Sequence, residues 1–195
     1  MTGASARRRS REWVENELIT AAADLLGEVG PRALTVRMIA ERAGVNHGLV
    51  HHYFGGKAEL LRAAMARLVD EHRDFAKEKS GGRVLPVPLA LTGDPRYLRA
   101  VVRAVLDGDN ELATTEVTTG ASIPRSVLEH LTARRGASEP DIETKALVAA
   151  GMAFEMGWAA LEPFIMAVVD VDGEEAEAVR ELVRSRRAEF FGSVR

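Results

Sequence analysis

Three of the chain's five histidines, His47, His51 and His52, fall within one short stretch, and this is where the sequence concentrates side chains able to do chemistry. In a helix His47 and His51 share a face, which is metal-ligand spacing. A zinc hydrolase helix, however, carries a glutamate directly after the first histidine, and Gly48 occupies that place. The chain has no cysteine, so disulfides, thiolate metal sites and thiol nucleophiles are excluded. No second ligand cluster, Ser-His-Asp set, phosphate loop or paired-carboxylate motif stands out. The expectation is a protein that is not an enzyme, with no catalytic residue, no metal and no cofactor.

The same stretch suits another chemistry. Asn46, His47, Leu49, His51 and His52 combine amide and imidazole groups that hydrogen-bond base edges with an aliphatic group that fits a thymine methyl. Such residues work only if a helix presents them together. Val14, Leu18, Ala22, Leu25 and Val29 recur at steps of three and four, one apolar stripe on an amphipathic helix over 13–29. Gly30-Pro31 stops it. Thr35 is a suitable N-cap for a second helix with Val36, Ile39, Ala40 and Ala43 on one face. Gly44 ends that helix, Asn46 caps a third running from His47 to Phe54, and Gly55-Gly56 breaks the chain before a long helix over 57–79. Two short helices joined through Gly44 have the dimensions of a helix-turn-helix, whose second helix enters the major groove. Val50 and Phe54 are assigned to its core side.

The stretch TVRMIAERAGVNHGLVHHYFGGKAELL resembles the TetR family of regulators. The match lies in Thr35, Ile39-Ala40, Ala43-Gly44-Val45, Tyr53-Phe54, Gly55-Gly56, Lys57 and Glu59-Leu60, and with the preceding helix it covers about residues 12–65. The resemblance implies a homodimer whose three N-terminal helices bind double-stranded operator DNA and whose C-terminal bundle binds a small effector. It also implies phosphate contacts from Thr35, Tyr53 and Lys57, and base reading by Asn46, His47, Leu49 and His51. Arg37 and His52 complete the candidate DNA-binding set. Tyr53 has the alternative of an ordinary core aromatic, and Lys57 that of a solvated helix start. The latter is odd for a cation near the positive helix terminus. Gly55 stands where the family often has proline.

Net charge is −3, but it is unevenly placed. Through Lys57 there are eight basic and six acidic residues, against 18 and 23 in the remainder, as expected of a DNA-facing N-terminal part and a larger part with other duties. Arg7, Arg8, Arg9 and Arg11 form either a solvated tail or an arm following the DNA. No run alternates like a strand, so the fold class is all-α: a three-helix DNA-binding domain followed by a larger helical bundle. The domains expected are a flexible basic arm over 1–11, a DNA-binding domain over 12–57 and an effector-binding and dimerisation domain over 58–195, linked by the helix over 57–79.

Beyond a Gly- and Pro-rich loop over 80–88, helices are expected at about 94–107, 124–135, 140–169 and 174–191, with Pro163 kinking or dividing the third. The stretch 108–123 favours neither helix nor strand. Met152, Phe154, Met156 and Trp158 surround Glu155 and Gly157 and suit either an adaptable apolar pocket or plain packing. Candidate effector residues are His130, Met152, Glu155, Met156 and Trp158. A largely apolar effector is expected from the Met152, Phe154, Met156 and Trp158 cluster and the scarcity of charge around it, and a strongly anionic one is disfavoured because Glu155 has no arginine near it in sequence. Filling the pocket floor through Gly157→Trp is expected to abolish the response. A homodimer through residues 140–191 is expected from Trp158, Phe164, Val179, Val183 and Phe190, more apolar surface than one chain covers. The longest apolar run, 151–169, is interrupted by Glu155, Glu162 and Pro163 and makes a poor membrane span. With no signal-peptide core after Arg9, the expected location is the cytoplasm.

Overall fold

The computed structural model describes residues 10–192, and these are helical with no strand. They form two compact units: residues up to Leu68 together with Arg99–Thr115, and Val69–Leu98 together with the chain from Glu116 onward. The basic arginines at 7–9 lie outside the described residues, whereas Arg11 is already the first residue of a helix.

In the first unit, α1 (Arg11–Ala33) starts where the Ser10 hydroxyl accepts the Trp13 N–H at 3.2 Å. Of its expected stripe Val14, Leu18, Ala22 and Leu25 are buried and Val29 half-buried, with Leu26 buried beside them. Each fully buried leucine contributes about 1.5–3 kcal/mol of apolar transfer energy. The expected stop at Gly30-Pro31 takes the form of a kink: Gly30 turns to φ 78° and one further helical turn follows it. α2 (Val36–Arg42) packs on α1 and is capped by Thr35, whose Oγ1 accepts the Met38 N–H at 3.2 Å. Gly44, at φ 63°, turns the chain toward α3 (Gly48–Phe54), a conformation costly for a residue with Cβ. α4 (Lys57–Ser80) begins in this unit. It also holds α5 (Pro95–Leu106) from Arg99 onward and the short α6 (Asn110–Ala113), capped by Asp109 through the Leu112 N–H.

The second unit holds a 3-10 turn (Ala90–Gly93), α8 (Ile123–Arg134), α9 (Ile142–Val168) and α10 (Gly173–Gly192). The unassigned stretch 108–123 resolves into two single-turn helices, α6 and α7 (Thr115–Thr118). Asp141 Oδ1 caps α9 by accepting the Thr144 N–H at 2.7 Å, and the helix runs undivided through Pro163. Leu89, Trp158, Met166 and Ala176 form the core here, with Ile165, Val171, Val179 and Val183 packed against them. This corrects the expectation that Trp158, Val179 and Val183 are surplus apolar surface. Leu89, delivered by the loop after α4, lies in the same core as all three. The apolar residues left exposed here include Ile142, Leu161, Phe164 and Val168 on α9 and Leu182 on α10. The Phe190 side chain lies outside the described residues.

Candidate nucleic-acid interface

Ile39, Ala40, Ala43 and Val50 are buried, which fixes the inward side of α3. The candidate DNA-binding residues come from α2, α3, the start of α4 and the turns between them. Thr35, Arg37, Asn46, His47, His51 and His52 are exposed, while Leu49, Tyr53 and Lys57 are half-buried.

Three local contacts set the geometry of these residues. The first is the expected cap. α3 is assigned from Gly48, but His47 already has helical backbone, φ −60° and ψ −28°. Asn46 before it supplies the capping side chain, its Oδ1 accepting the Gly48 N–H at 2.8 Å. This engages the amide oxygen and turns the NH2 group the other way, as a donor. A Cβ at position 48 would lie 3.3 Å from that oxygen, so glycine there leaves room for the Asn46 turn.

The second contact concerns Lys57. Its Nζ donates to the Pro31 carbonyl at 2.7 Å in a partly buried setting, so it is more than a solvated helix start. An ammonium has three N–H donors, and one such bond leaves two for a phosphate. The third concerns Tyr53. The Arg11 guanidinium lies 5.7 Å from its ring centroid, and the His52 ring meets it edge-on at 4.8 Å. Arg11 is itself held by Glu15 at 2.7 Å, a hydrogen bond that raises its pKa above the usual value. The start of α1 is thereby brought beside the end of α3.

Further polar contacts of this unit join residues far apart in sequence. Arg42 on α2 makes a bidentate pair with Glu28 on α1, at 2.9 and 2.7 Å, and holds that carboxyl below its ordinary range. The pair is exposed and therefore contributes little to stability. Arg67 Nη1 donates to Asn16 Oδ1 and Thr20 Oγ1. Among the described residues no group of three or more His, Cys, Asp or Glu side chains is arranged to hold a metal, His47 and His51 included.

The candidate effector residues all lie in the second unit. His130 is half-buried on α8. On α9, Met152 is exposed, Met156 half-buried and Trp158 buried in the core. Residues six apart on a helix point about 120° away from each other, so Met152 and Trp158 do not line one wall. Glu155 is not a lone carboxylate: Arg187 of α10 approaches it to 2.7 Å, and its Oε1 accepts the Leu89 N–H at 3.0 Å. An added Cβ at Gly157 meets nothing within 4 Å, so a larger side chain there has open space to enter. A network that the sequence did not suggest lies elsewhere in this unit. His72 Nδ1 is 2.9 Å from Asp94, the His72 ring stacks on Tyr97, and the Tyr97 hydroxyl donates to Glu116 at 2.6 Å. Burial, and then the Glu116 charge, push the Tyr97 phenol well above its usual range.

Among the described residues no helix is long and apolar enough to cross a membrane. The sequence profile of the bacterial regulatory proteins of the tetR family matches residues 18–64, which span α1 to the start of α4. The HTH-type transcriptional repressor Rv3405c of Mycobacterium tuberculosis is 30% identical over 172 residues, covering 87% of this chain and 85% of that protein. The HTH-type transcriptional regulator BetI of Brucella abortus is 49% identical over 89 residues, 46% of this chain and 40% of that one. A crystal structure of a TetR-family regulator from Rhodococcus sp. has the same fold, with a TM-score of 0.64 at 19% identity over 93% of this chain and 98% of the other. The family profile, the fold and a similarity that covers most of both chains agree: the chain belongs to the TetR family of transcriptional regulators.

Proposed function

We propose that this regulator is a repressor that binds a palindromic operator in the cytoplasm as a homodimer and releases it when a small, largely apolar effector occupies the second unit. The observation that supports the DNA reading is the exposure of the helix-turn-helix in the first unit. Asn46, His47, His51 and His52 are exposed and Leu49 is half-buried, and in sequence they lie between the Thr35 cap and the half-buried Tyr53 and Lys57. Phosphate contacts supply most of the affinity and base contacts the sequence preference. Thr35, Arg37, Tyr53 and Lys57 would provide the former and the α3 residues the latter. Two heads about 34–36 Å apart would read successive turns of one groove. A relative named as a repressor supports the sign of regulation.

The effector candidates remain His130, Met152, Glu155, Met156 and Trp158. Because Arg187 neutralises Glu155, that carboxylate offers an incoming molecule little net charge, in keeping with an apolar ligand. An effector that favours one dimer geometry by about 1–3 kcal/mol shifts operator affinity some 5–150-fold.

The test is fluorescence anisotropy on duplexes selected from random sequence, repeated over a salt series. Affinity is expected to fall steeply with salt. Lys57→Ala is expected to weaken all duplexes alike and to lower the salt slope by about one, whereas His47→Ala or His51→Ala should shift preference at one base by about 1–3 kcal/mol. A Lys57→Ala protein with unaltered affinity for unselected DNA removes the phosphate role, and failure to enrich any duplex removes the DNA reading.

A further inference from the structure

We propose that Asp107, assisted by Arg103, is a positioning residue for DNA binding. It would act through the Gly30–Arg32 turn on the Lys57 ammonium. The inference rests on the DNA-binding reading above and adds to it two residues that lie far from the helix-turn-helix in sequence.

The kink in α1 creates a specific problem. A helical carbonyl at position 27 should accept from the N–H at position 31, but residue 31 is proline and has none. The Arg32 N–H likewise loses its helical partner once Gly30 leaves helical geometry at φ 78°, ψ 165°. Both groups are satisfied from the end of α5. Arg103 Nε donates to the Gly27 carbonyl at 2.9 Å, and Asp107 Oδ2 accepts the Arg32 N–H at 2.9 Å. These are charge-assisted bonds, roughly twice as strong as neutral ones. The approach is close: a Cβ on Gly30 would stand 2.7 Å from Asp107 Oδ2 and 3.3 Å from Arg103 Cβ. Glycine at position 30 therefore serves both the backbone conformation and the seat of this carboxylate.

The same turn holds a functional group. Pro31, between the residues that Asp107 touches, presents its carbonyl to Lys57 Nζ at 2.7 Å. Leu34 closes the turn by donating its N–H to the Gly30 carbonyl at 3.2 Å, and Thr35, the cap of α2, follows directly. Asp107 and Arg103 on one side thus fix the backbone that places Lys57 and Thr35 on the other. All of these groups belong to the first unit.

The experiment measures anisotropy of a fluorescent 30-base-pair duplex of unselected sequence, over a salt series, with the full chain. The variants are Asp107→Ala, Asp107→Asn, Lys57→Ala and the Asp107→Ala/Lys57→Ala pair. Asp107→Ala is expected to weaken binding about tenfold and to lower the salt slope by about one. Asp107→Asn keeps an oxygen for the Arg32 N–H and should recover most of the loss. In the Lys57→Ala background, Asp107→Ala should add less than about twofold, because the group it positions is gone. Thermal melts establish that each variant is folded at the assay temperature, and Asp107→Ser replaces Asp107→Ala if that variant is not. Losses that multiply in the double variant, an unchanged salt slope, or Asp107→Asn as weak as Asp107→Ala would each overturn the proposal. A wild-type chain that binds no duplex overturns the DNA reading itself.

Discussion

Leu161→Glu together with Phe164→Glu is expected to leave the chain monomeric at micromolar concentration and to weaken operator binding by about a hundredfold or more. Leu161, Phe164 and Val168 on α9 are 52%, 66% and 66% exposed, and Leu182 on α10 is 62% exposed. Phe154, Gly157, Leu161, Phe164 and Val168 follow one another at steps of three and four. That is the spacing of a seam made to meet another helix. Gly157, with open space where its Cβ would be, lets a facing backbone come near. Two carboxylates in such a seam would be desolvated without partners. In the proposed dimer, losing the second head would also remove the gain from tethering two binding events. Sedimentation velocity reads the assembly and anisotropy reads the affinity. A double variant that still sediments as a dimer would place the interface elsewhere. Gly157→Trp belongs to the same test and should disturb assembly before any effector response.

Glu155→Ala should produce the largest loss of stability in the second unit. Glu155 and Arg187 are only 13% and 12% exposed and lie 2.7 Å apart. Removing one partner of a buried pair costs about 3–5 kcal/mol, because the remaining charge stays buried. The same substitution leaves the Leu89 N–H without its acceptor. Leu89 has φ 62°, a left-handed conformation unusual for a residue with Cβ, and it seats its side chain against the core. Glu155→Gln keeps an acceptor for that N–H and should lose less. Thermal melts are expected to fall by roughly 10 °C for the alanine variant. A fall below about 2 °C would show that the pair does not hold the loop in place.

The helix-turn-helix was legible because its determinants are local. The α1 stripe, the Thr35 cap and the Gly44 turn all act within a few residues of one another. The Asn46 cap belongs with them, since its Oδ1 reaches the N–H only two residues on. The second unit was less legible, because helical periodicity gives a face and not its occupant. Trp158 belongs to an apolar face of α9, but its cover includes Leu89, more than sixty positions earlier. Glu155 was judged lone because Arg187 stands on another helix. The Arg103 and Asp107 contacts with α1 span 76 and 75 positions, and no local pattern announces them. What could have pointed to them is Pro31, which leaves a helical carbonyl in need of a donor from elsewhere.

The division of the first unit also bears on how the protein is made. Its two pieces end at Leu68 and Thr115, with Val69–Leu98 between them belonging to the other unit. On a ribosome adding about 5–20 residues per second, the helix-turn-helix emerges roughly 2–10 s before the segment that completes its unit. During that interval the Gly27 carbonyl and the Arg32 N–H have no Arg103 or Asp107 to meet. A gene fragment cut after the helix-turn-helix would freeze the nascent chain at that stage. A portable reading head for a fusion protein must therefore carry Arg99–Thr115 with it.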